Sequence, residues 1–144
     1  MKTSTWKNPP TGEAVIFTIG PNFATQKEIR ECAYGFIKGA VSDESFVPAE
    51  IGIMQIKGFP ALFVRVVSRA QENRRERLIA LAFSEECSYH IIAQGPKVPS
   101  LETIEAHSSI TGSPRADAKP YIEEVSEGMK KLFADVLGTT TPNP

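Results

Sequence analysis

The chain has 144 residues, 41% of them hydrophobic and 23% charged, which is enough for one packed domain and excludes a disordered or fibrous protein. Sixteen Lys and Arg against seventeen Asp and Glu leave a net charge of −1, so the chain lacks the overall positive field that drives nonspecific nucleic-acid binding. Its longest apolar runs, such as residues 78–83, fall far short of the ~18 residues that a membrane-spanning helix needs.

In chain order, residues 1–12 are polar, carry Pro9, Pro10 and Gly12, and read as an irregular lead-in with Trp6 as an anchor. No hydrophobic segment separates Lys2 and Lys7 from the prolines, so no signal peptide is visible. That favours the cytoplasm; had a leader been removed, the periplasm or envelope would be the place instead. Residues 13–19 are rich in β-formers and predict a strand. Thr25 and Glu28 stand at capping-box spacing, and Ile29, Cys32, Ala33, Phe36, Ile37 and Ala40 then recur at helical spacing.

Four strands are predicted at residues 50–56, 61–68, 77–83 and 87–93, joined by short connections that include the turn Lys57-Gly58-Phe59-Pro60. Short connections imply an antiparallel meander. Leu62, Val64 and Val66 alternate with Phe63, Arg65 and Val67, giving one wholly apolar face for a helix layer to cover and one mixed face, on which His90 is expected. Ser100 caps a short helix running to about residue 109. A long helix is predicted over residues 119–137, with the stripe Ile122, Val125, Met129, Leu132, Phe133 and Val136 and a C-terminal cap at Gly138. The expected fold is therefore α+β: a central antiparallel sheet, made of the four-strand meander and one N-terminal strand, sandwiched between the N-terminal and C-terminal helices. Residues 1–138 form one domain in this reading, and residues 139–144 fray as a disordered tail.

The chemistry is sparse. No serine sits in a glycine-flanked elbow, and no His, Cys, Asp and Glu set has metal-ligand spacing. No glycine-rich loop lies between a strand and a helix to cradle phosphate. No cofactor is implied, and the chain leans away from being an enzyme. Cys32 and Cys87 do not make a disulfide framework; buried free thiols are favoured over a pair, which stays open. Arg65, Arg69, Arg74, Arg75 and Arg77 crowd into the second strand, the third strand and their connection. Such a cluster suits an acidic partner, since arginine binds oxyanions bidentately; equally, it suits a solvated hairpin tip guarded against aggregation. The loop has no aromatic residues for stacking on bases, so no nucleic acid is expected.

The turn Ile56-Lys57-Gly58-Phe59-Pro60-Ala61 and the strand Cys87-Ser88-Tyr89-His90-Ile91-Ile92 resemble the pattern of PsbP-like proteins and of related bacterial lipoproteins and peptidase-appended domains. Gly58, Pro60, Ala61 and Tyr89 carry the match, within about residues 14–113. The resemblance implies an α/β/α sandwich around an antiparallel sheet, an accessory or binding role, and an exported origin. The zinc-binding helix of the peptidases is absent, so it implies no peptidase activity and no functional residue.

The first reading of function is thus a noncatalytic domain that meets a protein partner through a sheet face or the arginine cluster; a homodimer is left open. The second is a small enzyme assembled from His90, Tyr89 and Glu50, and the third a carrier with a cavity between sheet and helices.

Overall fold

The computed structural model describes residues 2–22, 26–70 and 72–134. The elements run β1 (Lys2–Asn8), β2 (Glu13–Gly20), α1 (Gln26–Ala40), β3 (Phe46–Ile56), β4 (Phe59–Ser68), β5 (Glu76–Phe83), β6 (Ser88–Gly95), α2 (Leu101–Ala106) and α3 (Lys119–Leu132). The strands form one six-stranded antiparallel sheet in the order β1-β2-β6-β5-β4-β3.

The meander from β3 to β6 forms because its connections are tight. Between Ile56 and Phe59, which pair, Lys57 and Gly58 both take positive φ (51° and 82°), the backbone of a two-residue hairpin turn whose twist matches that of its strands. At the β5–β6 turn the Ser84 hydroxyl accepts from the Glu86 and Cys87 amides and donates to the Cys87 carbonyl. These bonds satisfy backbone groups around a side chain that is itself 3% exposed.

The alternation along β4 separates two cores. Leu62, Val64 and Val66, with Ile51, Leu81 and Phe83, pack against Ile29, Ala33 and Ile37 of α1 and Ile122, Val125 and Met129 of α3. On the opposite face Phe59, Phe63, Leu78, Tyr89 and Ile91 pack with Val15, Phe17, Ile104 and Ile110. Ala61, Ala80, Ala82 and Ala93 lie on this second face too, and their small side chains let short α2 and the segment after it settle closely. The Tyr89 hydroxyl donates to the Thr111 carbonyl (3.0 Å) and pins that segment down. Each fully buried Leu, Ile or Val contributes about 1.5–3 kcal/mol.

The mixed α+β antiparallel architecture agrees with the sequence; several details do not. Among the described residues there are six strands rather than five, because residues 2–8, expected to be irregular, form β1. The strand is polar and largely exposed, so no apolar alternation announces it; only its pairing with β2 defines it. The N-terminal and C-terminal helices do not sandwich the sheet between them. α1 and α3 share one face and touch, with Arg30 bonded to Glu124 at 2.9 Å, because an apolar stripe specifies burial but not the face. Leu132, expected in the α3 stripe, is 70% exposed, since α3 ends there and Phe133 packs instead. His90 lies on the helix side, in the row of Leu81. The Thr25 capping position, Val136, Leu137, Gly138 and the tail lie outside the described residues. Cys32 and Cys87 are free thiols against opposite cores, and so do not pair in this fold.

Glycines mark both ends of the β2–β6 ladder. A Cβ on Gly20 would stand 2.6 Å from Ser88 Oγ, and one on Gly95 would stand 2.9 Å from the Lys97 carbonyl. Leu81→Ala, at a fully buried position, is expected to cost about 2–5 kcal/mol, whereas Leu132→Ala should stay within about 0.5 kcal/mol of wild type. Urea unfolding of the two variants checks this; equal losses would contradict the packing described.

Candidate functional site

The helices α1 and α3 stand over β3, β4 and β5. Among the described residues no helix stands over the same face of β6, β2 and β1, and register writes out what that face displays. Its central row runs Thr5–Ile16–Ile92–Ile79. To one side lies Thr3–Thr18–His90–Leu81, where the Thr3 and Thr18 hydroxyls bond at 3.1 Å. To the other lies Lys7–Ala14–Gln94–Arg77. Ile79 continues into the helix-covered core, but Ile16 and Ile92 are half-buried and belong to neither core.

One wall of this surface is α1. Phe36 meets the His90 ring edge-to-face at 5.9 Å. Helical spacing puts Cys32, Gly35 and Gly39 on the same flank, and nothing lies within 4 Å of a Cβ built at either glycine. The result is a shallow trough with an apolar and threonine-lined floor and a wall made of Phe36 and small residues.

The far row makes its end basic. Arg77 Nε donates to Gln94 Oε1 (3.0 Å), and its guanidinium sits 4.5 Å over the Phe46 ring. Arg75 reaches across the sheet end to donate to the Gly12 carbonyl (3.1 Å). With Lys7, Asn8, Pro9, Gly12, Glu13, Ala14 and Gln94, Arg75 lines a hollow of about 320 Å³. On β1, β2 and β6 together the cations are Lys2 and Lys7, and Glu13 is the one carboxylate.

The five arginines of the sequence cluster are therefore divided. Arg75 and Arg77 join Lys7 at the end of the trough. Arg74 is exposed on the connection just before them. Arg69 is turned away, donating to the Glu44 carbonyl at 2.8 Å. Arg65 lies on the opposite face, between Glu50 (3.3 Å) and Glu76 (3.7 Å), because the pleat sends positions 65 and 77 to different sides of the sheet. Lys7, Gln94, Ile16 and Ile92 escaped the sequence reading; once residues 2–8 are taken as an edge strand, their shared face follows from register.

The residues suggested for catalysis are not brought together. Tyr89 is buried on the second face. Glu50 sits on β3, three strand spacings from β6, or about 14 Å at ~4.8 Å each. An acid–base pair must reach hydrogen-bonding range. Among the described residues no group of three or more His, Cys, Asp and Glu is placed to hold a metal ion, and no helix is long and apolar enough to cross a membrane. No protein-family model and no curated protein sequence matches the chain.

Burial pushes the Cys32 thiol above its ordinary value, which disfavours the reactive thiolate. Burial beside α1 likewise lowers the His90 pKa, because the charged imidazolium is poorly solvated there. As pH falls, the unfolded chain takes up this proton first. The contribution of His90 to stability is therefore complete above the unfolded value of about 6.5 and is lost as pH drops through it towards the folded value. His90→Gln is expected to lose less stability than wild type between pH 7.5 and pH 5. Denaturant titrations of both proteins at the two pH values measure the difference; identical losses would contradict it.

Proposed function

We propose that this protein is a noncatalytic binding or accessory domain, and that it meets an acidic protein partner at the trough over β6, β2 and β1. The observation that carries the reading is the half of the helix-side sheet face left without a helix among the described residues, with Ile16 and Ile92 in its middle and Lys7, Arg75 and Arg77 at its end. Apolar surface flanked by polar residues favours association. The basic end adds orientation and a faster encounter with a negatively charged surface. Arg77 is well suited to this task, since its stacking on Phe46 and its bond to Gln94 hold the guanidinium in place before any partner arrives. The separation of His90, Tyr89 and Glu50 supports binding over catalysis. The resemblance to PsbP-like proteins points in the same direction, towards an accessory role.

The reading predicts which substitutions matter. Ile92→Glu, at the centre of the trough, and Arg75→Glu with Arg77→Glu, at its end, should each reduce recovery of the native partner in affinity capture by ten-fold or more. Arg65→Glu, on the opposite face, should leave recovery unchanged. Circular dichroism shows whether each variant is folded. Equal recovery of every captured protein by folded Ile92→Glu, Arg75→Glu/Arg77→Glu and wild type would overturn the proposal.

A further inference from the structure

The trough is bounded on one side by α1 and on the other by β1, whose outer edge pairs with no strand among the described residues, and the two edges of the sheet differ in kind. At β3 the ladder to β4 breaks register between Pro48 and Glu50. Proline donates no hydrogen bond, and a bulge twists an edge away from further pairing. By contrast β1 pairs with β2 in unbroken register from Lys2↔Ile19 to Asn8↔Glu13. It contains no proline and no glycine. It is also held from below, because the Trp6 ring stacks on His107 at 4.2 Å with the planes 10° apart. Each residue of an edge strand turns its N–H and C=O to one side or the other, so β1 offers outward backbone groups that β2 does not use.

Resting on the binding role proposed above, we infer that β1 receives an extended acidic segment of the partner as a seventh, antiparallel strand. The ends of β1 fix the charge of the occupant. Lys2 and Lys7 lie five positions apart on β1 and therefore project to opposite faces of the sheet. A six-residue ladder with a carboxylate opposite each would pair both. A second copy of this chain is a poor occupant because it offers no countercharge: antiparallel self-pairing centred on Thr5 sets Lys2 opposite Asn8 and Lys7 opposite Thr3, so neither lysine meets a carboxylate. Hollows wait at both ends. Lys2 borders one of about 670 Å³ with Ile19, Gly20 and Pro21, and Lys7 borders the one shared with Arg75. Side chains entering there would add specificity to a ladder whose affinity comes from main-chain bonds.

The test uses the full ¹⁵N-labelled chain and a synthetic peptide, acetyl-Thr-Glu-Thr-Val-Thr-Val-Glu-Thr-amide, whose two glutamates meet Lys7 and Lys2 when it pairs antiparallel. Addition of the peptide should slow hydrogen exchange at the outward-facing β1 amides at least ten-fold, with contacts between peptide and β1 α-protons. Lys2→Glu/Lys7→Glu should abolish this and accept instead the peptide carrying lysine for both glutamates. Shifts confined to Ile16, Thr18, Ile92 and Gln94, with β1 exchange unchanged, would overturn the added strand while leaving the trough as a binding surface. No response to the acidic peptide at millimolar concentration would overturn it as well, showing that the lysines act only to guard the edge. So would protection of β1 without peptide and a doubled mass in sedimentation, which would identify a second copy as the occupant.

Discussion

The pairing of β2 with β6 is the constraint on which the rest of the molecule depends. The four strands from β3 to β6 follow one another in the chain and close through short turns. The N-terminal hairpin, by contrast, joins them through contacts some seventy residues apart in sequence, from Gly20↔Ser88 to Ala14↔Gln94. Closing so long a loop costs entropy before any contact offsets it. The return is a continuous core in which Val15 and Phe17 lie beside Tyr89, Ile91 and Ala93. At the lower end the ladder is tied further, since Ser88 Oγ donates to the Pro21 carbonyl at 2.9 Å, close over Gly20.

That pairing makes the sheet wider than its helix layer. Two helices lying side by side cover about 20 Å, whereas six strands at ~4.8 Å spacing span about 24 Å between the outermost axes. Because α1 and α3 both pack over β3, β4 and β5, the shortfall is concentrated on β6, β2 and β1 instead of being shared between two edges. The second face avoids the same exposure by a different route, with alanines on the sheet and α2 and its following segment laid close against them. The asymmetry of the two faces thus reflects side-chain size on one and helix placement on the other.

Charge follows the same division. Arg65 and Glu76 share the second face with Glu50, where opposite charges meet and largely satisfy one another. Such exposed pairs contribute little to stability. Among the described residues positions 75 and 77 have no carboxylate partner: one binds a backbone carbonyl, the other an amide and an aromatic ring. Their positive charge is held in place without being neutralised. With Lys7 beside them, a chain whose net charge is −1 presents a local basic surface at one end of its open face.

The sequence by itself determined the elements with a strong local period. The α1 stripe of Ile29, Ala33 and Ile37, the alternation of Leu62, Val64 and Val66, and the Lys57-Gly58 turn are encoded within a few residues each, and helix, strand and hairpin follow from them. It also placed Arg75 and Arg77 in a basic cluster. What it did not reveal was β1, whose Thr, Ser and Lys side chains face water on both sides and leave no apolar period. Tertiary structure alone decided that both long helices share one face, that Arg65 parts from Arg77, and that Lys7 joins them. The reason is the same in each case: a residue's periodicity says that it is buried or exposed, whereas the face it occupies is set by the register of a partner strand distant in the chain.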